Sequence, residues 1–255
     1  MVAKSIEPTK RFSDRAEYYA KSRPLYPKEV LTVLKSKASF DRSKVVADIG
    51  SGTGILTKLF LDNGNTVYGV EPNIDMRMVA ESNLIAYENF ESVEGMAERT
   101  TLPPKSIDLI TVGQAFHWFD LGKTKKEFKR ILKKGGYVAI LYYSRSEKTE
   151  LSKDYEKIVK KYGRNFARVR ETDGRVFGRF FGKDKYKKYE FWAASVRRLD
   201  LDGFISRFLS ASYMPKSSER SYKPMIRDIK RIFDKNEKNG VVSMSYDVVL
   251  YLGKL

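Results

Sequence analysis

The chain alternates short apolar runs with amphipathic stretches over most of its length. Val45-Val46-Ala47-Asp48-Ile49 reads as a buried strand, because parallel strands covered on both faces are nearly continuous apolar runs. Ile55 to Leu61 follows with helical spacing and stops at Asn63-Gly64. Thr66 to Val70 is a second strand, Ile74 to Glu81 a helix, and a weaker third strand lies near Ser92 to Glu94. Ile107 to Val112 is a fourth strand, and a helix from Asp120 to Lys133 is expected to stop at Gly135-Gly136. Tyr137 to Tyr143 is the fifth strand. Upstream, Arg11 to Lys21 places Phe12, Ala16, Tyr19 and Ala20 on related helical faces and ends before Arg23-Pro24. Pro27 opens a second helix whose apolar positions are Val30, Leu31, Val33 and Leu34.

Strands alternating with helices at these lengths give βαβ units and a parallel sheet. The pattern changes at residue 145. Leu151 to Gly182 is basic and aromatic with no clear strand, so residues 145–185 are expected to be a helical insertion. Lys187 to Ala193 supplies a sixth strand, Asp202 to Leu209 and Ser221 to Phe233 two helices, and Val241 to Leu252 a last strand antiparallel to its neighbours. The expected fold is therefore α/β, with seven mostly parallel strands. Its segments are 1–40 (N-terminal helices), 41–144 (the core), 145–185 (the insertion) and 186–255 (completion of the sheet).

With 42% hydrophobic residues in 255, a substantial core is available. The absence of cysteine excludes disulfides, thiolate metal sites and a cysteine nucleophile. One histidine and scattered carboxylates offer no convergent metal-ligand spacing, so no metal is expected. No apolar run approaches the roughly 18 residues that span a bilayer, and Met1 to Thr9 lacks a signal-like stretch. A cytoplasmic protein without a membrane partner is the expectation. The net charge of +17 is uneven: residues 1–120 carry 15 of the 49 Lys/Arg and 16 of the 32 Asp/Glu, leaving 34 and 16 for residues 121–255. A basic half suits an anionic partner.

Asp48-Ile49-Gly50-Ser51-Gly52-Thr53-Gly54 joins a strand to a helix. Glycines there let the backbone turn sharply and approach a ligand, and the helix start presents free amides to the same space. A dinucleotide fingerprint is G-x-G-x-x-G; here the third glycine comes one residue early. The triphosphate signature G-x-x-x-x-G-K-[ST] is absent, so the loop suits a ligand without a pyrophosphate. Glu71, at the end of the second strand beside Pro72, is placed to accept two hydrogen bonds from a ribose diol.

These features together resemble the class I, Rossmann-like methyltransferases that use S-adenosylmethionine (AdoMet). The likeness is narrower to their small-molecule branch, which includes trans-aconitate methyltransferase. The loop Asp48 to Gly54 is similar to that family's first motif, Val70-Glu71-Pro72 to its second and Glu94 to Glu98 to its third. Gln114 to Asp120 is similar to the segment after strand four, Arg23 to Pro27 to an N-terminal R-P-x-Y-P, and Leu209 to Pro215 to a substrate-side segment.

The resemblance implies AdoMet as cofactor, held by Asp48, Gly50, Ser51, Gly52 and Gly54 of the loop, with Glu71 and Pro72 at the ribose. Met76 or Ile74 would flank the adenine, Ala97 would offer it a backbone contact, and Met96, Gln114 and Ala115 would also touch the cofactor. Arg23 with Tyr19 is expected to clamp the cofactor carboxylate, since a guanidinium fork matches that geometry. The N-terminal helices would close over the cofactor and the insertion would act as a lid.

His117 is the candidate catalytic residue, as an imidazole that orients an acceptor or takes its proton. His117, Trp118, Tyr143 and Tyr213 are the candidate substrate contacts, with Tyr142 beside them. The expected acceptor is a small, acidic molecule attracted by Arg164, Arg168, Arg170, Arg175 and Arg179. The alternative is a nucleic acid tracked by the basic half.

Overall fold

The computed structural model describes residues 18, 23–145, 149–164 and 174–255. The expected helix over Arg11 to Lys21, with Tyr19, therefore lies outside the described residues except for Tyr18, and so do Arg168 and Arg170.

A seven-stranded sheet runs in the order β3-β2-β1-β4-β5-β7-β6. Its strands are β1 (Val46–Ile49), β2 (Val67–Val70), β3 (Phe90–Val93), β4 (Ile107–Gly113), β5 (Leu132–Arg145), β6 (Tyr186–Leu199) and β7 (Val242–Gly253). The first five pair in parallel, whereas β7 is antiparallel to both β5 and β6. All four residues of β1 are buried, as a strand covered on both faces requires. Strand order reverses on either side of β1, which opens a crevice at the carboxyl ends of β1 and β4.

The helix after β4 ends sooner than its sequence suggests. It spans Leu121–Ile131, and β5 begins at Leu132. Leu132 pairs with Ile107 and Tyr137 with Leu109, so Lys133 to Gly136 bow out of the ladder, with Gly135 at φ +84°. The glycine pair thus shapes a bulge inside a strand and does not stop a helix. Similarly, β6 runs well beyond Ala193 to Leu199. It is the sheet's edge, and its Lys187, Lys188, Arg197 and Arg198 are the charges that guard an edge and dilute the strand signal.

The insertion divides between two cores. Phe177, Phe180 and Phe181 of the helix Gly174–Phe181 are buried against the sheet. Phe177 stacks on Tyr251 with centroids 3.7 Å apart, and Phe180 meets Phe116 edge-on at 4.8 Å. Each such ring contributes about 1.5–3 kcal/mol by burial. The helix Glu150–Tyr162 packs instead with Leu201–Leu209 and Tyr222–Asn236. That second core is centred on Tyr155, stacked 4.0 Å from Phe208, and reaches Met244 and Tyr246 at the start of β7. Since β7 is antiparallel, its start lies beside the end of β5, where Arg145 pairs with Tyr246. The second core therefore sits at the crevice side of the sheet.

Candidate functional site

Three glycines with positive φ form the turn after β1: Gly50 at +70°, Gly52 at +56° and Gly54 at +81°. They serve different ends. A Cβ on Gly50 would lie 2.7 Å from Ala115 Cβ, so this position is held bare by the protein's own packing. A Cβ on Gly52 would meet no protein atom within 4 Å and would project into open space. Gly52 is bare where a ligand would pass. The amides of Gly50 and Ser51 donate to the Val70 carbonyl at 2.8 and 3.2 Å, fastening the turn to β2.

Two carboxylates brace it. Asp48 is fully buried and accepts hydrogen bonds from Thr57 Oγ1 at 2.7 Å and Thr111 Oγ1 at 3.0 Å. Burial pushes its carboxyl up to about 6, against the lowering effect of both hydroxyls. Glu71 accepts from the amide of Gly52 at 3.0 Å through Oε2 and from that of Asn73 at 3.0 Å through Oε1. Burial raises its pKa too, opposed by those two amides and by the charge of Arg77. Arg77 in turn donates to the Glu71 carbonyl and pairs with Glu94 at 3.1 Å, fixing the end of β2 to the end of β3.

The crevice holds a cavity of about 460 Å³, within the range of small-molecule sites. It brings together Gly50, Gly52, Glu71, Pro72, Met76, Met96, Ala97, Gln114, Ala115 and Trp118, all expected from the sequence. Met96 is 43% exposed although apolar, and presents its thioether to this space. Gln114 takes φ +58°, a strained value for a side chain with a Cβ, and its Nε2 donates to the Tyr143 carbonyl at 2.9 Å. That bond ties the ends of β4 and β5 together. A smaller adjoining cavity of about 30 Å³ is lined by Asp48, Ser51, Thr53, Tyr26 and Tyr143. Thr53 Oγ1 is buried there with no hydrogen-bond partner among the described residues.

Other expected residues lie elsewhere. Gly54 caps the helix Ile55–Asp62 and packs toward Leu84, outside the larger cavity. Ile74 is 56% exposed and does not line it, so of the two adenine candidates only Met76 does. Arg23 donates to Tyr143 Oη at 3.1 Å and to the Ser210 carbonyl at 3.2 Å, beside the smaller cavity. Tyr213 belongs to the second core. His117 is exposed, lines neither cavity, and packs its ring 4.7 Å from that of Trp118. Of the expected arginines, Arg164 pairs with Glu219, and Arg175 and Arg179 are exposed.

Phe119, beside Trp118, also walls the larger cavity, as do Glu98, Asp120 and Lys123, which the sequence does not single out as site residues. Asp120 caps the helix Leu121–Ile131 by accepting from the amides of Gly122 and Lys123, both at 3.0 Å, while its own amide donates to Glu98 at 2.7 Å. An aspartate before a helix was the available signal, and it reads as a cap alone.

Residues 47–140 match the family model described as a methyltransferase domain. An uncharacterised methyltransferase of Mycobacterium tuberculosis is 30% identical over 152 residues, which cover 60% of this chain and 60% of the relative. The match thus spans about three-fifths of the length of that relative. An uncharacterised methyltransferase of Schizosaccharomyces pombe is 22% identical over 235 residues, 91% of this chain and 92% of the relative. Among solved structures, a protein of Anaeromyxobacter dehalogenans provisionally assigned as a type II methyltransferase is 19% identical with a TM-score of 0.67. That alignment covers 91% of this chain and 97% of the other. At this identity the likeness is one of fold.

Proposed function

We propose that this chain, whose residues 47–140 match a methyltransferase domain, transfers a methyl group from AdoMet to a small, acidic molecule. The observation that carries the reading is Glu71, a half-buried acid that lines the cavity and accepts the amide of Gly52, whose bare backbone opens onto free space.

The residues fit this cofactor. Glu71 has acceptor capacity beyond its two amide bonds, which suits a ribose diol. Gly52 leaves room for the ligand's close approach, and the unpartnered Thr53 hydroxyl offers it a polar contact. Met76, Met96 and Ala97 supply an apolar slot for a flat base. When bound, AdoMet supplies a methyl on a positively charged sulfur, ready for displacement by a nucleophile.

The chain's own task is then to bind, orient and exclude water. Trp118 and Phe119 wall the cavity, and Gln114 holds the β4 and β5 ends at fixed separation. His117, outside both cavities, is not assigned as a base. An acceptor already ionised at neutral pH, such as a carboxylate, needs none.

Incubation with methyl-labelled AdoMet and, separately, a metabolite extract and RNA tests the reading. Label in the small-molecule fraction is expected. Label confined to RNA would instead favour nucleic-acid methylation by the basic half, and no transfer to either would overturn the proposal.

A further inference from the structure

We propose that Arg207 and Arg145, with the hydroxyl of Tyr155, form the site that receives a carboxylate of the methyl acceptor; this rests on the function proposed above. The sequence directs attention to the arginines of the insertion, but Arg164, Arg175 and Arg179 face solvent or an acidic neighbour. Arg207 does neither. It is 3% exposed on the helix Leu201–Leu209, and its hydrogen bonds go to neutral groups: Nε to Tyr246 Oη at 2.9 Å and Nη1 to Ser210 Oγ at 3.4 Å. No carboxylate among the described residues pairs with it.

Arg145, at the end of β5, lies with its guanidinium 4.3 Å from the centroid of Tyr155, and it too has no carboxylate partner among the described residues. Arg207 lies 5.8 Å from the same ring. Tyr155 is fully buried, and its hydroxyl has no hydrogen-bond partner among the described residues. Two guanidinium groups and an unused hydroxyl thus converge on one aromatic ring. Arg23, on Tyr143, adds a third positive charge nearby.

A buried guanidinium without a counter-charge is costly, and cation–π contacts offset only part of that cost. An anion brought by a ligand supplies the missing charge, and a guanidinium binds a carboxylate through two parallel hydrogen bonds. The position suits an acceptor. Tyr143 lines the smaller cavity beside Gly50 to Thr53, its ring is 5.8 Å from that of Tyr246, and Tyr246 accepts from Arg207. Half-buried Arg145, Tyr143 and Tyr213 form the more open side of the cluster.

The test is calorimetric titration of the full chain with succinate and with citrate, with and without S-adenosylhomocysteine. Succinamide and inorganic phosphate serve as controls at matched ionic strength. Carboxylate binding is expected in the wild type, with affinity at least ten-fold lower in Arg145→Gln and in Arg207→Lys. S-adenosylhomocysteine affinity should stay within about two-fold in both. If Arg207→Lys fails to fold, half-buried Arg145→Gln decides alone. The clamp is overturned by no carboxylate binding in the wild type, by equal affinity in the variants, or by succinamide or phosphate binding as tightly as succinate. Failure of S-adenosylhomocysteine to bind would refute the functional reading instead, while carboxylate heats measured without it still judge the clamp.

Discussion

The Glu71 carboxylate accepts the Gly52 amide at 3.0 Å, joining the end of β2 to the middle of the glycine turn 19 positions earlier. One acid thereby shapes the turn and faces the space the turn leaves open. Removing it should affect ligand binding more than folding. Glu71→Ala is expected to weaken AdoMet binding by at least about 100-fold, since two hydrogen bonds to a charged group are worth about 3–6 kcal/mol. Calorimetry checks this, and unchanged affinity would exclude Glu71 from the ribose contact.

The two neighbouring glycines should behave differently. In Gly52→Ala the added carbon meets no protein atom, so the thermal penalty is the backbone strain of about 1–2 kcal/mol while AdoMet affinity falls more than ten-fold. Gly50→Ala drives a carbon to 2.7 Å from Ala115 and adds an overpacking cost of about 1–3 kcal/mol to the same strain. Melting curves should therefore rank Gly50→Ala well below Gly52→Ala. The reverse order would contradict the division of roles.

His117→Asn is expected to change turnover by less than about three-fold, whereas loss of a general base typically costs 100-fold or more. His117 is exposed and lies outside both cavities. Steady-state rates on an identified acceptor provide the check, and a 100-fold loss would return His117 to the chemistry.

Two buried acids set opposite pH slopes on stability. Asp48 titrates near 6 in the folded chain and 3.8 otherwise, so between those values the folded state holds the extra proton. Its contribution to stability therefore declines as pH rises through that window. Glu127 is lowered from 4.5 to about 2 by the hydrogen bond from Arg130, with Thr100 adding to it, and its stabilisation is present above 4.5 and lost as pH falls toward 2. Urea unfolding from pH 2 to 7 should show the first slope vanish in Asp48→Asn and the second in Glu127→Gln. A variant that keeps the wild-type slope in its own window would refute that assignment.

The fold was legible where one physical signal dominated. The buried run Val45–Ile49, the glycine turn and the acid at Glu71 are local, and placing eleven of the fourteen residues expected at the cofactor along the two cavities needed only the rule that sheets bind ligands at their carboxyl ends. Gly135-Gly136 misled because a glycine pair after a helical pattern marks a stop or a bulge alike, and only pairing with β4 distinguishes them. The edge strand β6 was shortened by its charges. Arg207 was invisible: Ser206-Arg207-Phe208 reads as an ordinary amphipathic turn, and its burial arises only when Tyr155 and Tyr246 close over it from distant segments.

The central claim is that the cavity beneath Gly52 and Glu71 is an AdoMet site, and direct titration of the wild-type chain with AdoMet tests it. Saturable binding of one equivalent per chain, weakened more than ten-fold in Gly52→Ala, is the predicted result. Absence of binding, or binding that Gly52→Ala leaves unchanged, would contradict it.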